Sequence, residues 1–212
     1  MNISPETPSR AQAAACEVDL VDVGGGNIGS VRRCLHRLGI AYRDVGAENL
    51  PGGSRPLILP GVGAFGTVMD SLRRNGLDES IKNLVAKGTP LLGVCVGMQV
   101  LFDSSEEAPG VPGLSLVPGK VVRFVADKVP QIGWNHIDAK QSGWEGGYVY
   151  FVNSFYAQPE NDNVVLYQAQ YGDTEFCAAL RTGNITAFQF HPEKSSAFGA
   201  SLLARWIASV TL

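Results

Sequence analysis

Histidine is scarce in this chain, with three among 212 residues. A proton-transferring imidazole can therefore come only from His36, His136 or His191. Cysteine is scarce as well, at four residues. Cys16, Cys34, Cys95 and Cys177 form no C-x-x-C pair, which argues against a zinc ribbon or a dithiol redox site. No apolar run approaches the ~18 residues of a membrane span. Neither sign of charge prevails: 17 Lys and Arg against 20 Asp and Glu leave a net −3, so charge points to neither nucleic acid nor an anionic membrane. Residues 1–15 lack the basic and apolar regions of a secretory signal and are read as a flexible tail. Residues 16–212 read as one domain, in a cytoplasmic setting where the thiols stay free. Cys16, Cys34 and Cys177 lie in apolar or helical contexts and read as core filler.

The chain alternates strand and helix through its first half. Strands are expected over 17–23, 42–44, 57–60 and 91–94, and helices over 28–38, 64–75 and 77–87. That alternation predicts an α/β fold, an open, mostly parallel twisted sheet with helices on both faces. The second half changes to short apolar runs over 120–125, 148–152, 164–171, 176–180 and 185–190, separated by Gly, Pro, Asn and Asp. These predict an additional antiparallel β region. Residues 196–210 read as a closing amphipathic helix, and 108–119 as a long surface loop.

Gly93-Val94-Cys95-Val96-Gly97 carries the most chemistry. An apolar strand runs into a Gly-bounded turn and then into a helix, which is the cysteine form of the nucleophile elbow. A buried structural cysteine would read the same over five residues, so a base has to be found. His36 falls on a solvated helix face, and His136 reads as structural. His191 ends an apolar strand and opens His191-Pro192-Glu193, where Glu193, two residues on, can face the same side and hold the far imidazole nitrogen. The plainer reading of that tripeptide is a turn into the last helix. Both Cys95 and His191 end strands, where open α/β sheets place their sites. The N–H of Val96 and an amide of Pro60-Gly61-Val62-Gly63 are the candidate oxyanion donors. A competing motif, Gly24 to Gly29 with Asp44 beyond it, fits a dinucleotide fingerprint. It leaves Cys95 and His191 unexplained.

Taken together, Gly24 to Val31, Leu59 to Phe65, Gly93 to Gln99, Ser104 to Glu107, Gly133 to Asn135, Tyr150 to Ser154 and His191 to Ser195 resemble class I glutamine amidotransferases. With Met98 and Lys194-Ser195, they are most similar to the glutaminase subunits of imidazole glycerol phosphate synthase. The resemblance implies that Cys95 attacks the glutamine amide, that His191 moves protons and that Glu193 orients it. It implies that the amides of Val96 and Val62 hold the oxyanion. It also implies that Gly63, Gln99, Glu107, Ser154 and Phe155 bind the amino-acid head. Without it, Glu107 reads as a solvated acid. No cofactor and no metal are implied. The implied partner is a cyclase subunit in a heterodimer, docked on the Gly25–Asn27 loop and the Gly133–Asn135 segment. Asn153 and Gln131 stand where such chains usually carry His, and both are expected near the mouth facing that partner.

Overall fold

The structure is a computed structural model that describes residues 17–24 and 28–210. The expected tail over 1–15, Cys16 and the Gly25–Asn27 docking loop lie outside the described residues. The elements of the first half are β1 (Glu17–Val21), α1 (Ile28–Arg37), β2 (Ala41–Val45), β3 (Leu57–Gly61), α2 (Phe65–Arg74), α3 (Leu77–Ala86), β4 (Leu91–Cys95) and α4 (Val96–Gln99). Those of the second half are β5 (Ser104–Ser105), β6 (Gly119–Arg123), β7 (Gln131–Ala139), β8 (Gly147–Asn153), β9 (Phe155–Pro159), β10 (Val165–Tyr171), β11 (Thr174–Thr182), β12 (Ile185–Phe188) and α5 (Ser196–Val210).

Strands β2, β1, β3, β4 and β12 lie side by side and parallel. The near-continuous apolar sequences of β3, β4 and β12 fit a sheet buried on both faces, whereas β2 is a partly exposed edge strand. The order reverses between β1 and β3. The crossover through α1 therefore runs one way, and the crossover through α2 and α3 runs the other. With both right-handed, the helices fall on opposite faces of the sheet. Beyond β12 the sheet turns antiparallel through β11, β10, β7 and β8. Tight turns at Gly172 and Gly183, both at positive φ, join β10 to β11 and β11 to β12. A smaller layer of β5, β6 and β9 joins β11 through β9.

Three features depart from the expectations. The 108–119 segment is not a loose surface loop: Leu114 and Val117 are buried. Its amides at Gly113, Leu114, Leu116 and Val117 donate to the carbonyls of Asp103, Val100 and Leu101, which binds it to the chain just after α4. Strands β5, β7 and β9 form where no strand was expected over their length. Their polar and aromatic residues are recruited by long-range pairing rather than by local pattern. The helix after Cys95 is a single turn, so its dipole contributes little to that thiol.

The elbow depends on three missing side chains. A Cβ at Gly97 would lie 1.9 Å from the Leu59 carbonyl oxygen, one at Gly61 2.4 Å from the Gly97 nitrogen, and one at Gly93 2.7 Å from the Gly97 oxygen. Backbone packs directly on backbone where β3, β4 and α4 meet. Gly97→Ala is expected to destabilise the fold by about 3 kcal/mol or more, an overpacking cost. In thermal unfolding that is a Tm drop of roughly 6–12 °C. Gly52→Ala, where a Cβ meets nothing within 4 Å, should change Tm by about 2 °C at most.

Candidate active site

The parallel strands deliver their chemistry to their carboxyl ends. Cys95 ends β4 with φ 56° and ψ −116°, a left-handed backbone that non-glycine residues rarely adopt. Such a conformation costs about 1–3 kcal/mol and persists only where the surroundings fix it. The close backbone contacts at Gly61, Gly93 and Gly97 do so. Parallel register places Gly61 of β3 opposite Cys95. The Pro60–Gly63 turn therefore faces the thiol, with Gly63 at φ 94°.

His191 follows β12, and its Nδ1 lies 2.8 Å from Glu193 Oε1. The two residues are not related by strand alternation, as the i, i+2 spacing suggested. β12 ends at Phe188, and Pro192–Lys194 forms a 3₁₀ turn with Pro192 at its start. Proline's fixed φ and missing N–H suit that position. The turn is tied down by Ser195, fully buried, whose hydroxyl donates to the His191 carbonyl at 2.7 Å and accepts the Tyr150 amide at 2.9 Å. The His191 amide in turn donates to the Tyr150 carbonyl at 3.0 Å. With Nδ1–H donating to Glu193, Nε2 is left for Cys95, which lies within hydrogen-bonding reach. Burial by itself pulls the His191 pKa down. The hydrogen bonds to Cys95 and Glu193, together with their charges, outweigh it and raise the pKa to about 10. The geometry thus favours an imidazolium beside a sulfur.

The other thiols read as inert. Burial pushes Cys177 up to about 12, and it raises Cys34 against the opposing pull of Arg37. His36 is exposed, as expected. His136 is half-buried, 3.3 Å from Asp138 and in edge contact with Tyr148.

A cavity of about 330 Å³ gathers the candidate residues. Cys95, His191, Val62 and Val96 line it together with Gly63, Gln99, Glu107, Ser154 and Phe155, and Glu193 sits behind His191. Among the described residues, neither the Val62 nor the Val96 amide donates to another backbone carbonyl in the turns and caps around it. Glu107 is not a free surface acid. Its Oε2 accepts the Phe65 amide at 2.7 Å, which satisfies the first turn of α2, a helix whose N-cap Ala64 has no side-chain cap of its own. Gln99 is buried, and its Nε2 donates both to the Phe155 carbonyl at 3.1 Å and to Gln189 Oε1 at 3.0 Å. Its amide is thereby oriented with the oxygen free to accept.

Sequence reasoning missed Gln189 and the bridging role of Ser195. Gln189 sits in an apolar strand end, where its only signal was being polar in a buried run. Gln131 and Asn153 also differ from expectation. They face each other across β7 and β8, only 3% and 6% exposed, so neither faces outward. Strand alternation turns their neighbours outward instead: Ile132, Trp134, Tyr148 and Val152 are all exposed. Asp44 of the dinucleotide fingerprint is held by Arg32 at 3.0 Å.

Known proteins fit this geometry. The sequence profile of "Glutamine amidotransferase class-I" matches residues 19–209. A protein of Geobacillus thermodenitrificans named "Imidazole glycerol phosphate synthase subunit HisH" is 44% identical over 92% of this chain and 96% of its own. One of Deinococcus radiodurans with the same name is 43% identical over 94% and 95%. The Arabidopsis thaliana protein "Imidazole glycerol phosphate synthase hisHF, chloroplastic" is 41% identical over 90% of this chain and 34% of its own length. Among solved structures, a "glutamine amidotransferase" superposes with a TM-score of 0.73 at 25% identity, over 92% of this chain and 98% of its own. By its profile match, its relatives and its cysteine elbow, the chain belongs to the class I glutamine amidotransferases.

Proposed function

We propose that the chain is the glutaminase subunit of an imidazole glycerol phosphate synthase. It hydrolyses glutamine to glutamate and ammonia through a thioester on Cys95 and delivers the ammonia to a cyclase subunit. The observation that carries this reading is the lining of one cavity by Cys95 and His191, with Glu193 holding the imidazole from behind. The names of its relatives support the pathway. The plant relative, matched over 34% of its length, has room for a second unit in the same chain.

In this mechanism the Cys95 thiolate attacks the side-chain carbonyl carbon of glutamine. The developing oxyanion is held by the Val96 and Val62 amides. Collapse of the intermediate expels ammonia, with His191 supplying the proton from Nε2. The neutral imidazole then takes a proton from water, which attacks the thioester, and glutamate leaves as the thiolate is restored. Glu193 keeps the proton on Nδ1 throughout, so that Nε2 is the nitrogen that gives and takes the proton. Gly63, Gln99, Glu107, Ser154 and Phe155 hold the amino-acid head, the Glu107 carboxylate suiting an ammonium group.

The cyclase is proposed to dock on the exposed face of β7 and β8. Ile132 pairs with Val152, Trp134 with Tyr150 and His136 with Tyr148 across the two strands, and all six lie on that one face. Four of them are exposed large hydrophobics, and Val152 also lines the cavity. A contiguous apolar patch of this kind beside an active site marks an interaction surface.

Three outcomes test this reading. Glutamate release from glutamine should be stimulated by the cyclase with its ligand bound. Cys95→Ala should reduce it about 1,000-fold or more; no turnover in the folded complex would contradict the proposal. Trp134→Ala should raise the Kd for the cyclase roughly tenfold or more by calorimetry, without changing the unfolding midpoint of the free chain. The third concerns pH. Because His191 is raised from 6.5 to about 10, the folded chain holds a proton that the unfolded chain releases, and its stability contribution is complete below pH 6.5 and lost as pH rises through about 10. Glu193→Gln removes a charge that raises this pKa. The alkaline limb of both activity and stability should then move to lower pH, as read from rate and unfolding profiles.

A further inference from the structure

Gln189 has no part in the chemistry above, yet the fold keeps it at a disadvantage. It follows β12 and is fully buried between Phe188 and Phe190 in the chain, with its main-chain amide donating to the Ala178 carbonyl at 2.9 Å. Its side-chain Oε1 accepts Gln99 Nε2 at 3.0 Å. Its own Nε2 is sealed from solvent and meets no acceptor among the described residues. A buried donor left unpaired costs about 1–3 kcal/mol, and an apolar side chain at this point of an apolar run would avoid it. Natural sites seldom carry that cost without a use. Turning the Gln189 amide over brings no relief, because its nitrogen would then face the nitrogen of Gln99. Gln189 therefore acts on its surroundings only as an acceptor.

What it accepts decides what Gln99 offers. Both N–H groups of the Gln99 side chain are committed, one to Gln189 and one to the Phe155 carbonyl at 3.1 Å. Both partners are oxygens that can only accept, so the nitrogen end of Gln99 is fixed and the oxygen is its remaining polar atom. Nothing among the described residues donates to that oxygen. Unlike the orphan atoms of Gln131 and Asn153 it is not sealed from solvent, and Gln99 lines the glutamine cavity. The Phe155 carbonyl does not depend on Gln99, since it also receives Asn153 Nδ2 at 3.0 Å. The terminal torsion of a glutamine side chain is broad, so its orientation comes from its partners. With Gln189 in place, turning the Gln99 amide over sets its oxygen against two acceptors. With an apolar residue there, it faces one, and that one keeps another donor. Resting on the glutaminase reading above, we propose that Gln189 is a positioning residue for substrate selection: without touching glutamine, it holds the Gln99 oxygen toward the α-ammonium and so favours a head group that carries N–H donors. Gln189 stands two residues before His191, so the segment that carries the imidazole also sets how the head group is read.

The test uses the full chain in complex with its cyclase. The KM for glutamine is measured alongside the inhibition constant of glutaramate, which is glutamine without its α-amino group. Gln189→Met, apolar and of the same length, should raise the glutamine KM roughly tenfold, the worth of one hydrogen bond to a charged group, while leaving the glutaramate constant nearly unchanged. Gln189→Leu reads the same contrast should the Met variant misfold. Gln189→Glu keeps an acceptor oxygen in either protonation state and should restore a glutamine KM near the native one. A double-mutant cycle separates positioning from packing. In a Gln99→Leu complex, Gln189→Met should raise the glutamine KM no further, because no amide is left to turn. Equal weakening of both ligands, an unchanged glutamine KM, or the same tenfold penalty in the Gln99→Leu background would overturn the proposal and leave Gln189 a packing residue. A native complex that does not hydrolyse glutamine would instead overturn the functional reading on which it rests.

Discussion

The site depends on backbone lying directly against backbone where β3, β4 and α4 meet. Without side chains at Gly61, Gly93 and Gly97, the chain after Cys95 can press onto β3. That contact holds Cys95 at a φ that a non-glycine residue would not keep by itself. It also brings the Pro60–Gly63 turn alongside the thiol, so the candidate oxyanion donors and Cys95 share one cavity. Stability is thus exchanged for placement: the strained cysteine is tolerated because the packing beneath it leaves no room to relax.

Charge is organised around the same point. The one-turn α4 offers only a weak dipole, so the character of the thiol depends on His191. That residue is held from three directions: Glu193 on its ring, Ser195 on its carbonyl and Tyr150 on its amide. The last two of these reach β8, whose outward face carries the aromatic patch. The strand proposed to meet the cyclase is therefore bonded to the turn that carries His191, and its Val152 carbonyl lies 4.0 Å from Cys95 Sγ. This is a short physical route from the outward face of β8 to Cys95.

Much of this was legible in the residues. Alternating apolar runs and Gly stops gave the parallel half, and the elbow motif and His-Pro-Glu gave the candidate groups that the structure brings to one cavity. The less legible parts were those made by distant pairing. β7 and β9 are polar or aromatic strands that exist because neighbours pair with them. Glu107 is a loop acid until α2, 42 residues earlier in the chain, presents an amide that lacks a cap. Gln189 is an odd polar residue in an apolar run until Gln99, 90 residues away, meets it. The inward setting of Gln131 and Asn153 follows from a register that no local pattern specifies.

The central claim is that Cys95 forms a covalent bond to glutamine in this cavity. The most direct measurement is acid quenching of the complex during turnover, followed by mass spectrometry of its peptides. The account predicts a γ-glutamyl thioester on the peptide containing Cys95, absent from Cys95→Ala. Steady glutamate release with no adduct on Cys95, or with the adduct on Cys34 or Cys177, would contradict it.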